Sequence, residues 1–149
     1  MGSAVQWAAM GLSLAVEVPV AVALVRVWAS RRANAPCEGS ASSQPEAIVS
    51  AGSGAFSWPR VASVAAAGTL LTHPVVWWAN TVGLNPLVSS TPRLAFLESF
   101  AVSVEAVVYA VGLRLGWRWA LGVSLLANGA SFAVGLLAVR AWRWWLLGH

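Results

Sequence analysis

Residues 94–115 read LAFLESFAVSVEAVVYAVGLRL, an apolar run that carries two carboxylates, Glu98 and Glu105, in its interior. About 20 mainly apolar residues suffice for a helix to cross the hydrocarbon core of a bilayer, so this run is predicted to be a membrane span. A carboxylate at the centre of such a span costs on the order of 2.5–3.5 kcal/mol even on the lenient insertion scale. Groups that costly are expected to face the protein interior and not lipid.

Working outward, three further runs share this character. Segments at 4–29, 60–82, 94–115 and 118–140 are the four predicted transmembrane helices of a single domain covering 1–149. Composition agrees: 58% of the 149 residues are hydrophobic and 9% are charged, with a mean hydropathy of +0.71. These values lie outside the range of a soluble domain and inside that of a polytopic membrane protein. The first run is too long for the apolar region of a signal peptide and lacks a basic stretch before it, so it is expected to be a retained helix.

The quoted run also has an echo. Ser13-Leu14-Ala15-Val16-Glu17, with Arg26 nine residues after the glutamate, recurs as Ala101-Val102-Ser103-Val104-Glu105, with Arg114 nine residues on. Thr69-Leu70-Leu71-Thr72-His73-Pro74 recurs as Ser124-Leu125-Leu126-Ala127-Asn128-Gly129. The first pair is offset by 88 residues and the second by 55, so the second helical pair is joined by a connection 33 residues shorter. The expected fold class is all-α integral membrane, with four transmembrane helices as two tandem helical hairpins in a parallel internal repeat.

The connections support this division. Residues 30–59 are rich in Ser, Ala and Gly, contain Pro36, Pro45 and Pro59, and read as a flexible cytoplasmic loop. Pro86 and Pro92 mark the second connection as a tight extramembrane turn, and Gly116-Trp117-Arg118 allows only an antiparallel hairpin. Six arginines (Arg26, Arg31, Arg32, Arg60, Arg114, Arg118) flank the first and third connections, against Arg93, Arg140 and Arg143 at the opposite ends. Positive residues favour the cytoplasm, so both termini are expected on the outer side of a bacterial cytoplasmic (inner) membrane. The ten tryptophans cluster near the same segment ends, where indoles prefer the headgroup level.

The formal charge of +4 does not point to nucleic acid, because the arginines sit singly or in pairs at segment ends and form no contiguous phosphate-binding face. Lone Cys37 has no second cysteine for a disulfide or metal pair.

Depth picks out the candidate residues. Glu17, His73, Glu105 and Asn128 each lie within about two residues, or about 3 Å, of the centre of their segment. They are expected to meet in one interior pocket. At helical spacing, Glu98, Tyr109 and Gly112 extend the face of Glu105, Ser124, Ser131 and Gly135 that of Asn128, and Thr69 and Asn80 that of His73, while Ser13 accompanies Glu17. Ala127, Ser131 and Gly135, spaced by four, are also suited to close helix packing. Pro74 and Gly129 are predicted helix interruptions at matching places, a feature of binding sites in transporter folds. The acids outnumber His73, the one intramembrane basic candidate, so a carboxyl is expected to hold a proton or a bound cation.

Three readings follow. In the first, Glu17, His73, Glu98, Glu105, Tyr109, Asn128 and Ser131 relay protons or bind a cation or small polar solute for transport. Four helices enclose little volume, so this reading expects a homo-oligomer. In the second, the cluster is a hydrogen-bonded clasp in an accessory or assembly subunit of a larger membrane complex. The third is an enzyme or metal site, with Glu17, His73 and Glu105 as candidate ligands. It ranks last, since no metal-binding or catalytic spacing can be placed and no cofactor is expected. Beyond such assemblies, the only partner implied is the lipid bilayer.

Overall fold

The computed structural model of the protein describes residues 2–33, 57–84 and 89–147. It is all-helical, with no strand among the described residues. Four helices run in chain order: α1 (Gly2–Ala33), α2 (Trp58–Trp78), α3 (Ser90–Gly112) and α4 (Trp117–Leu147), with a π-helical turn at Ala79–Gly83 continuing α2. All four are long and apolar enough to cross a membrane. The second span has the lowest mean hydropathy, 1.2 against 2.1 for the first, because Thr69, Thr72, His73 and Asn80 all fall on it. The expected loop at 30–59 and the turn around Pro86 fall mostly outside the described residues, as does Cys37.

Each helix packs against its sequence neighbours, and α4 closes the ring on α1, with no close backbone approach across either diagonal. Arg26 stacks 4.3 Å over the Trp58 ring while Glu17 meets Thr69, so α1 and α2 are antiparallel. The result is an up-down-up-down bundle. Leu70, Leu71, Phe96, Val111, Leu126 and Leu137 point outward, as a lipid-facing surface requires. Pro59 sits in the first turn of α2 and Pro92 in that of α3, where the missing N–H is not needed.

α1 runs to Ala33 against an expected 29 and α3 starts at Ser90 against 94, and two further boundaries differ from expectation. α3 ends at Gly112 and not at residue 115, because Arg114 adopts a left-handed conformation (φ 52°) that turns the chain. Leu113 and Leu115 are nevertheless buried. Their apolar character belongs to a packed turn, and hydropathy cannot distinguish this from helix. The Arg60 guanidinium donates to the Gly112 carbonyl at 2.9 Å, satisfying an acceptor the helix end leaves open. α4 runs on to Leu147 instead of ending near 140, carrying exposed Trp142, Trp144 and Trp145 with it. Since left-handed backbone disfavours a β-carbon, Arg114→Gly is expected to raise stability by about 1 kcal/mol, read as a higher thermal midpoint in detergent.

The two ends of the bundle are built differently. At the end holding the α3–α4 turn, Ala21, Val25, Val61, Ala65, Leu113 and Val123 belong to one buried apolar cluster. Small residues let the helices close there: a β-carbon on Gly112 would lie 2.8 Å from Val64 Cγ1. Toward the other end the helices enclose a cavity instead.

Candidate functional site

Glu105 is 1% exposed and Glu17 4% exposed, both near the middle of their helices. The Glu105 carboxylate accepts from Thr72 Oγ1 (3.3 Å) on α2, and from Ser124 Oγ (3.3 Å) and Asn128 Nδ2 on α4. The Glu17 carboxylate accepts from Thr69 Oγ1 at 2.5 Å. Thr69 and Thr72 are about one turn apart on α2, so a single helix bridges the two acids. Glu105 reaches α2 across Gly68, where a β-carbon would stand 3.2 Å from Glu105 Cγ. Ser131 and Ser13 complete the ring, joining α4 to α1 at 3.1 Å.

A cavity of about 300 Å³ extends from this level toward the end of the bundle away from the α3–α4 turn. Glu17, Glu105 and Asn128 form its floor, with Glu98, His73 and Ser131 on its walls. On the other side of the floor lies the apolar cluster described above, so the cavity is blind. No arginine lines it among the described residues.

Of the residues expected at this site, Glu17, His73, Glu98, Glu105, Asn128 and Ser131 therefore line one cavity. His73 is in the expected cavity but makes no bond to the acids there. It is half-buried on the wall, its Nε2 has no hydrogen-bond partner, and it pairs with neither Glu17 nor Glu105. Tyr109 is displaced: it is fully buried in the apolar half, beyond the floor, with an unpartnered hydroxyl. A buried hydroxyl without a partner is costly, so Tyr109→Phe is expected to raise stability by about 1 kcal/mol, again read from thermal unfolding. A loss of stability would mean that the hydroxyl is hydrogen-bonded within the bundle when the protein sits in a membrane.

The two expected interruptions leave their helices continuous. α2 runs through Pro74 and α4 through Gly129, and both residues are exposed on the flank of the bundle. A proline ring directed at lipid removes one hydrogen bond without ending the helix. Gly129 instead lines a second, largely apolar crevice of about 200 Å³ between α3 and α4, beside Glu98 and Asn128. Gly135 lines the main cavity, and a β-carbon there would meet nothing within 4 Å. It does not mediate the close packing its spacing suggested.

The metal candidates Glu17, His73 and Glu105 do not converge: among the described residues, no three His, Cys, Asp or Glu side chains are close enough to hold a metal ion. Sequence reasoning missed Thr72 and Gly68 and left Thr69 and Ser124 as mere neighbours. Hydroxyls at i and i+3 on a span, Thr69 and Thr72, were the available signal. Pro19, two residues after Glu17 and inside α1, was missed as well. Comparison with protein-family models, curated proteins and solved structures finds no match to this chain.

Proposed function

We propose that this chain is an integral membrane protein that binds a cation in competition with protons at the Glu17–Glu105 level, and so moves protons, a cation or a small polar solute across a bacterial cytoplasmic (inner) membrane. The observation that carries this reading is a blind cavity whose floor holds two buried carboxyls and whose lining includes no arginine. A buried acid needs a proton or a positive partner. The neighbours of Glu105 accommodate either state. Thr72 Oγ1 lies 3.0 Å from the Gly68 carbonyl, and Ser124 Oγ lies 2.9 Å from that of Val102. Each hydroxyl can thus give its hydrogen to backbone and accept from a protonated Glu105, or turn and donate to the ionised form.

Sidedness belongs to the same proposal. Six of the nine arginines flank the packed end, so the cavity opens to the outer side, where both termini lie. The tandem repeat is supported by matching bonds: Thr69 donates to Glu17 as Ser124 donates to Glu105, and these positions correspond in the two echoed stretches. Passage across the membrane requires the packed end to open, and a homo-oligomer supplies room for that change. The test is flux in proteoliposomes. Wild-type protein is expected to show saturable, pH-dependent cation uptake that Glu105→Gln removes, and unchanged flux in that variant overturns the reading.

One observation favours the second reading, a clasp within an accessory subunit. Side-chain bonds tie every neighbouring helix pair: Glu17–Thr69, Thr72–Glu105, Asn128–Glu105 and Ser13–Ser131. Such bonds contribute on the order of 0.6–2 kcal/mol each in a membrane. Stoichiometric co-purification of another membrane protein, together with absent flux, would favour it.

A further inference from the structure

The acid-floored cavity and the crevice between α3 and α4 adjoin each other. Both are lined by Glu98, Asn128 and Phe132. The crevice is otherwise apolar, formed by Val102, Leu125 and Gly129. Its outer rim is exposed on the flank of the bundle, where Leu125 is 59% and Phe132 48% exposed, and this flank faces lipid in a membrane-spanning bundle. A β-carbon on Gly129 would meet nothing within 4 Å beyond its chain neighbours, so a side chain added there has open space to occupy. An apolar crevice, termed the side window, thus lies beside the polar chamber at the level of its floor, with Glu98, Asn128 and Phe132 between them.

Resting on the cation-binding reading above, we infer that the ligand is an amphiphilic organic cation, its ammonium group at the Glu17, Glu98 and Glu105 carboxyls and its hydrocarbon part passing through the Gly129–Phe132 window toward the bilayer. Three properties select this class. The acids line a chamber of about 300 Å³ and do not converge as metal ligands, whereas a bare metal ion needs oxygens at roughly 2.0–2.6 Å on several sides. An ammonium head supplies donors to carboxylates and to the Asn128 and Ser131 oxygens at larger separations. The window is nearly devoid of polar groups apart from its shared rim, so it stabilises hydrocarbon and rejects a second charge.

The test measures saturable binding of labelled methylammonium and of labelled hexylammonium to protein in nanodiscs, with empty nanodiscs subtracted. Wild-type protein is expected to bind hexylammonium at least tenfold more tightly, since each buried methylene contributes up to about fourfold. Gly129→Leu, which fills the window from an unobstructed position, is expected to bring hexylammonium down to the methylammonium level and leave methylammonium unchanged. Gly129→Ala should fall between. Retained methylammonium binding shows that the variants are folded. Equal binding of the two amines by wild type, or an unaltered preference in Gly129→Leu, overturns the window while leaving the cation site standing. No saturable binding of either amine overturns both.

Discussion

Glu105→Gln is expected to abolish cation binding and flux, a loss of at least a hundredfold, while shifting the thermal midpoint by only a few degrees. Glutamine has the same shape as glutamate. Its carbonyl accepts from Asn128 Nδ2, and its amide donates to the Ser124 or Thr72 hydroxyl, so the bonds now made to the carboxylate are all replaceable. What glutamine lacks is charge and an exchangeable proton. Glu105→Ala has a different expected outcome. It strips Asn128, Ser124 and Thr72 of the carboxylate, leaving them only their backbone bonds to Ser124, Val102 and Gly68, and opens a void against Gly68, costing about 3 kcal/mol mainly from lost packing. The pair of variants separates the two functional readings. A clasp predicts that stability and any function fall together in alanine and survive together in glutamine. A cation site predicts that glutamine keeps the fold and loses the activity.

Why Glu105 was visible in the sequence, and Thr72 was not, has a physical explanation. A carboxylate in an apolar run is penalised so strongly by hydrocarbon that depth alone marks it. Glu17, His73, Glu105 and Asn128 are assigned to one interior on the depth argument, and all four line the same cavity. A threonine carries no such penalty, because its hydroxyl can bond the backbone one turn earlier, as Thr72 does to Gly68. It therefore leaves no signature in hydropathy. His73 lines the cavity too but bonds neither acid, because depth does not fix rotation about the helix axis and the face of α2 that meets the two acids is set by Thr69 and Thr72.

The four spans were legible for the same reason, since length and apolarity are what a bilayer selects. Their ends were less so. Leu113 and Leu115 extend the apolar run past the helix end because the turn itself is buried. The Trp-rich extension of α4 past 140 looks like an interface in sequence and folds as helix. Least legible was the asymmetry between a packed end and a hollow end. It shows in single contacts, with Gly112 tight against Val64 at the packed end and Gly135 on the cavity lining with nothing within 4 Å. Periodicity assigns both alike to an inward face.

The Gly112–Val64 contact is where that asymmetry can be tested most directly. A β-carbon on Gly112 would sit 2.8 Å from Val64 Cγ1 and 3.1 Å from Cγ2, closer than atoms in a packed interior can approach without displacement. Val64 belongs to the middle of a turn of α2 and packs against the apolar cluster, so it cannot swing aside freely. Gly112→Val is therefore expected to force α2 and α3 apart at the closed end and to cost about 3 kcal/mol. The Arg60 bond to the Gly112 carbonyl would be strained in the same movement. The sharper measurement is a double-mutant cycle with Gly112→Ala and Val64→Ala. The glycine change alone is expected to destabilise by about 2 kcal/mol through overpacking, and the valine change alone by about 1 kcal/mol through lost burial. Combined, the alanine at 112 occupies the space vacated at 64, so the double variant is expected to be more stable than either sum predicts, with a favourable coupling of at least about 1 kcal/mol. Additive effects would mean that α2 and α3 do not close on each other there in the bilayer, and the cavity would then be open at both ends.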